Sequence, residues 1–133
     1  MDMKLITLLL IISLPCFGQF KVVKSDIAPM SCTLVAGFLQ GTREQVLYHP
    51  NALFKQFPNL NRRFWDIRQG HRWDANHWLK TGVTTLFTAA IVIKIGERKK
   101  WYWYLWDGFK YYLPYKLGFF LSYNLLFKNK LTL

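Results

Sequence analysis

The apolar run from Trp78 to Gly96 restricts this chain more than any other feature. Between Lys80 and Lys94 it carries no charge. A run of this kind folds as a helix with lipid or protein around it. A typical bilayer span needs about twenty residues, so this one is short. Lys80 and Lys94 lie near its ends, where a long side chain can keep its ammonium in water while the stem stays in apolar surroundings. The expectation is a span over 78–96, closed by Glu97-Arg98-Lys99-Lys100.

The rest of the chain divides around that run. At 133 residues it allows one domain. Residues 1–18 read as an export signal: Lys4 is the positive end, Leu5 to Leu14 the apolar stretch, and Cys16-Phe17-Gly18 the cleavage site. A lipoprotein reading of Cys16 is opposed by Pro15 immediately before it. Residues 19–133 then form a single helical domain. Ile27 to Thr42 is free of charge, and the helix is expected over 27–49, stopped by Pro50. Gly37 and Gly41 are four apart, a spacing that lets helix backbones approach closely in lipid, although a soluble amphipathic helix also suits this stretch. Residues 50–76 form a basic loop with short surface helices. Trp101 to Trp106 is an aromatic belt, expected to break at Asp107-Gly108, and 111–127 is a second span or an interfacial helix. The fold class is all-α: a small helical membrane protein with two or three short embedded or interfacial helices.

The charge balance points to a partner of the same kind. A net charge of +11 with 18% aromatic residues suits either nucleic acid or lipid. The export signal argues against nucleic acid. So does the position of the Trp and Tyr residues, which flank apolar runs as rings do at a bilayer surface. An anionic lipid bilayer is the expected partner, with a further helix–helix partner through Gly37 and Gly41. Cleavage after Gly18 would leave Cys32 as the one cysteine, which excludes an internal disulfide and a multi-cysteine zinc site.

Two sets of residues could carry chemistry. Asp74 and His77 are three apart and so share a helix face at the mouth of the apolar run. Glu44 shares a face with Gly37, Gly41 and Tyr48. Glu44, Asp74 and His77 could hold a divalent metal or a water molecule, or an acid could orient His77 as a general base. Alternatively, Asp74 caps a helix and His77 pairs with it structurally. No HExxH, phosphate loop or serine elbow accompanies them, so the metal and cofactor stay unknown. The second set is Arg62, Arg63, Arg68 and Arg72, a patch for anionic lipid or a phosphorylated substrate, or else a solvated basic loop.

The Asp74-x-x-His77 pair resembles the Asp-Lys-x-x-His motif of VanZ-like and YfiM-like small membrane proteins, without the Lys. A longer stretch, from Ala36 to Thr81, is similar to a group of small proteins of Bacteroidota and their phages. The shared residues are Gly37, Gly41, Glu44, Tyr48-His49, Phe54, Phe57-Pro58, Asn61, Phe64-Trp65-Asp66 and the Asp74-x-x-His77 helix. The resemblance implies an exported or membrane location and brings no activity. The chain is therefore expected on the periplasmic side of a bacterial inner membrane, with a non-enzymatic accessory role in the envelope and a possible phage or mobile-element origin. The competing expectation is a minimal membrane enzyme acting on a lipid-linked or phospho-substrate.

Overall fold

A computed structural model describes residues 22–66, 74–97 and 99–126. The signal segment 1–18, Arg68 and Arg72 lie outside the described residues. Those described form helices α1 (Lys24–Tyr48), α2 (Pro50–Gln56), α3 (Arg62–Trp65), α4 (Ala75–Ile95) and α5 (Trp101–Phe120). The last continues into wider π-helical turns over Leu121–Leu126. No β-strand occurs among the described residues, so the all-α expectation stands.

α1 starts where Asp26 folds back on its own N-terminus, its Oδ2 accepting from Val23 N–H at 3.1 Å. It ends at Tyr48, next to Pro50, which opens α2 from its first position, where a missing N–H does no harm. α1 is the central element, packed along both α4 and α5. Its N-terminal Asp26 meets Lys94 near the end of α4, so these two helices are antiparallel. α5 runs parallel to α1, from Lys110 beside Asp26 to Ser122 beside Thr42.

Small residues set the α1–α5 distance. A methyl group on Gly37 would run into the Tyr115 carbonyl, and one on Gly118 into the Leu34 carbonyl. One on Gly41 would sit 2.8 Å from the Phe119 carbonyl oxygen. The two backbones touch where any side chain would hold them apart. Gly37 and Gly41 pack against α5 and its continuation in the same chain.

The interior is unusually polar. Asp26, Thr33, Thr42, Gln45, Lys94 and Asp107 are buried on the three long helices and Ser122 in the π-helical turns, while Ile27, Ile91, Val92, Leu105, Phe109 and Leu113 face outward. A small apolar cluster, Val46, Leu53 and Ala75 with Phe64 and Trp65 against it, closes the end near α2 and α3. α4 is long and apolar enough to cross a membrane, and its buried residues are Ala75, Ala90 and Lys94 alone.

Two expectations are corrected. Asp107-Gly108 does not break the chain: α5 runs unbroken from Trp101 to Phe120, with Pro114 inside it. Asp107 is turned into the bundle, with Lys110 one turn on in the same helix and Lys99 of the preceding linker beside its carboxylate. Nor does Lys94 reach for water. It is 3% exposed, because an acid on α1 lies within its reach.

Candidate functional site

Two local arrangements surround the residues singled out in the sequence, and a third was not foreseen. At the start of α4, Asp74 is the N-cap. Its Oδ1 accepts from His77 N–H at 3.0 Å and lies 2.7 Å from His77 Nδ1. Burial alone would raise the Asp74 carboxyl, but the His77 ring and the backbone N–H groups of His77 and Asn76 hold it below the usual carboxylate range. The His77 side chain is 58% exposed.

Glu44 is elsewhere on the surface of α1, accepting from Gln40 Nε2 at 3.0 Å. Its neighbour Arg43, rather than Glu44 itself, reaches α4, where Nε donates to Asn76 Oδ1 at 2.7 Å. The structure thus brings Asp74 and His77 together and leaves Glu44 with a different partner. Among the described residues no three His, Cys, Asp or Glu side chains gather as a metal site. His49, at the end of α1, pairs through Nε2 with the Tyr123 hydroxyl at 2.9 Å.

Of the arginine set, Arg62 stacks over the Phe54 ring at 5.1 Å. It lines a shallow depression of about 280 Å³ with Asn51, Lys55 and Asp66. Arg63, the second residue of α3, donates its backbone N–H to the Oδ1 of the Asn61 cap at 3.0 Å.

The arrangement that sequence reasoning missed lies at the opposite end of the bundle. Asp26 Oδ1 accepts from Lys94 Nζ at 2.8 Å and from the Tyr111 hydroxyl at 2.9 Å, and Oδ2 accepts from Lys110 Nζ at 2.7 Å. Lys94 also donates to Glu97 Oε1 at 2.7 Å, and Lys99 pairs with Glu97 Oε2 at 2.5 Å. Asp107 completes the set with longer contacts, 3.4 Å to Lys99 and 3.5 Å to Lys110. Three carboxylates and three ammonium groups therefore share one cluster that ties α1, α4 and α5 together. Glu97, outside the helices, is held down to about 2 by hydrogen bonds from Lys94 and Lys99.

Beside this cluster the bundle opens. A cavity of about 650 Å³ lies between α4 and α5 over Thr33 of α1. Phe87 and Tyr115 meet across its far end with ring centroids 5.3 Å apart. Tyr104 stands at the near end, its hydroxyl accepting from Lys99 N–H at 3.0 Å. The local signals were present: Lys94 and Glu97, and Asp107 and Lys110, are each three apart. Their common partner Asp26 was hidden, since an acid in a first helical turn reads as a cap.

Comparison with family models, with characterised proteins and with solved structures finds no match for this chain. Any functional reading therefore rests on the geometry.

Proposed function

We propose that this chain is an integral membrane protein of the cell envelope, with α1, α4 and α5 packed side by side in the bilayer and an accessory, non-enzymatic role. The observation that carries this reading is the inverted distribution of side chains. Charged and hydroxyl groups are buried between the helices, whereas Ile91, Val92, Leu105, Phe109 and Leu113 are each more than half exposed. In water such a surface would be a large aggregation-prone patch. In hydrocarbon it is the favoured exterior, and ionisable groups at that depth face the bundle interior and pair with one another.

The packing of α1 along both other helices supports placing all three at one depth, in preference to two spans alone. That arrangement sets the basic 50–76 segment and the 96–100 linker on opposite faces of the membrane. Lys55, Arg62 and Arg63 are exposed at their end of the bundle, where anionic headgroups would lie. Trp101, Tyr102 and Trp103, exposed beside Lys99 and Lys100, suit the opposite interface. An accessory role is favoured over a catalytic one by the use of Asp74, whose Oδ1 is engaged in capping α4 and holding His77.

Carbonate extraction of membranes from cells making the full chain should leave it in the pellet. A spin label at Val92→Cys, in a Cys16→Ser, Cys32→Ser background, should be reached by oxygen and shielded from a water-soluble nickel reagent. Release into the carbonate supernatant, or free access of nickel to the label, overturns the reading.

A further inference from the structure

We propose that the groove between α4 and α5 holds one acyl chain of an aminophospholipid, with the lipid ammonium on Asp107 and the phosphate near Lys99. This deepens the membrane reading and rests on it.

The groove has the size and composition of a ligand site: about 650 Å³, with Phe87, Ile91, Ile95, Tyr112 and Tyr115 among its walls and a few polar groups at one end. Its polarity runs along its length. Lys94 and Asp107 lie near the 96–100 linker, and the Phe87–Tyr115 contact closes the other end. From Asp107 to Tyr115 is eight residues of helix, about 12 Å at 1.5 Å per residue. A lipid whose head lies at the linker would run its chain down this groove in the same sense as its neighbours in the leaflet.

The head is specified by the least satisfied member of the ion cluster. Lys99 and Lys110 bind Glu97 and Asp26 closely, at 2.5 Å and 2.7 Å. Asp107 is 5% exposed, yet receives those two lysines only at 3.4 Å and 3.5 Å. Charge-assisted contacts are strongest at about 2.7–2.9 Å, so this carboxylate keeps acceptor capacity toward the groove that it lines. A primary ammonium would use it. Lys99, with 30% of its side chain exposed, and the exposed Lys100 supply positive charge for a phosphate at the same end. The two signs side by side match a zwitterionic head better than a purely anionic one.

The test is native mass spectrometry of the detergent-purified full chain. Phosphatidylethanolamine, phosphatidylcholine and phosphatidylglycerol are offered at equal concentration. One phosphatidylethanolamine should be retained in preference to the other two by about tenfold, the scale of one hydrogen bond to a charged group. Phosphatidylcholine has the same charges but no N–H to donate. Asp107→Asn should erase the preference. Gly108 lines the groove, and beyond its own helix backbone and chain neighbours nothing lies within 4 Å of the position a Cβ would take. Gly108→Phe should therefore fill the groove and abolish retention of all three lipids while helix content by circular dichroism is unchanged. Leu113→Phe, on the outer face, should retain the lipid. Equal retention of the three lipids, or undiminished retention by Gly108→Phe, overturns the proposal while carbonate-resistant membrane association leaves the membrane reading intact. Release by carbonate removes both.

Discussion

Lys94 Nζ lies 2.8 Å from Asp26 Oδ1 across 68 residues of chain, with the two side chains only 4% and 0% exposed. Asp26 is the hub of the cluster, since Lys94, Lys110 and Tyr111 all donate to it. Asp26→Leu leaves the buried Lys94 ammonium and the partly buried Lys110 ammonium facing the same gap. Removing one side of a buried ion pair costs about 3–5 kcal/mol, and this substitution should fall in that range. Lys94→Met should cost less, because Lys110 and Tyr111 still hold Asp26. Thermal unfolding in detergent, followed by circular dichroism, gives the order; equal losses would show that Asp26 is no hub.

The α1–α5 contact should tolerate no added carbon. Gly118→Ala places its methyl against the Leu34 carbonyl, and backbone cannot swing aside as a side chain does. Overpacking costs about 1–3 kcal/mol, and the upper end is expected here. Gly108→Ala, with open space around it in a helix interior, should gain up to about 1 kcal/mol. Matching melting temperatures for the two variants would contradict the close crossing.

Asp74 and His77 should separate cleanly. Asp74→Ala removes the N-cap of α4 and should lower stability by about 1 kcal/mol. His77→Gln removes an exposed ring but keeps the His77 backbone N–H on the Asp74 carboxylate, and should change stability by no more than about 0.5 kcal/mol. Chemical denaturation in mixed micelles measures both. A larger loss for His77→Gln would assign the ring a role beyond pairing with its cap.

Acid should loosen the linker end first. Glu97 is held down to about 2 from 4.5 by Lys94 and Lys99. A carboxylate whose folded value is depressed adds stability above its unfolded value, and that contribution declines as pH falls from about 4.5 through about 2. Glu97→Gln should flatten this part of the stability profile between pH 5 and pH 2 and leave the profile above pH 6 unchanged in shape. An unaltered acid limb would remove Glu97 from the cluster's energetics.

Much of the fold was legible in local spacing. The apolar run after Asp74 and the Gly37–Gly41 interval both concern residues within a turn or two of each other, where helical geometry alone decides which side chains share a face. Asp74 as a cap was legible for the same reason: the N–H it accepts from is three residues away. Lys94 was not legible. At the end of an apolar helix, escape to water and burial against an acid give the same sequence pattern. Asp107-Gly108 misled for a different reason: read as an isolated turn signal, it leaves out Lys99 and Lys110, which lie close in sequence and beside the carboxylate.

From the amino-acid order alone came the helical class, the placement of the main apolar segment and the residues able to let two helices touch. Those properties follow from short-range sterics and hydrogen bonding, which each few residues settle for themselves. Which helix the glycines meet, that Asp26 gathers Lys94 and Lys110, and that a groove is left between α4 and α5 were decided only by tertiary packing. Each of these depends on groups far apart in the chain, and a buried charge is stable only where folding brings its counter-charge beside it.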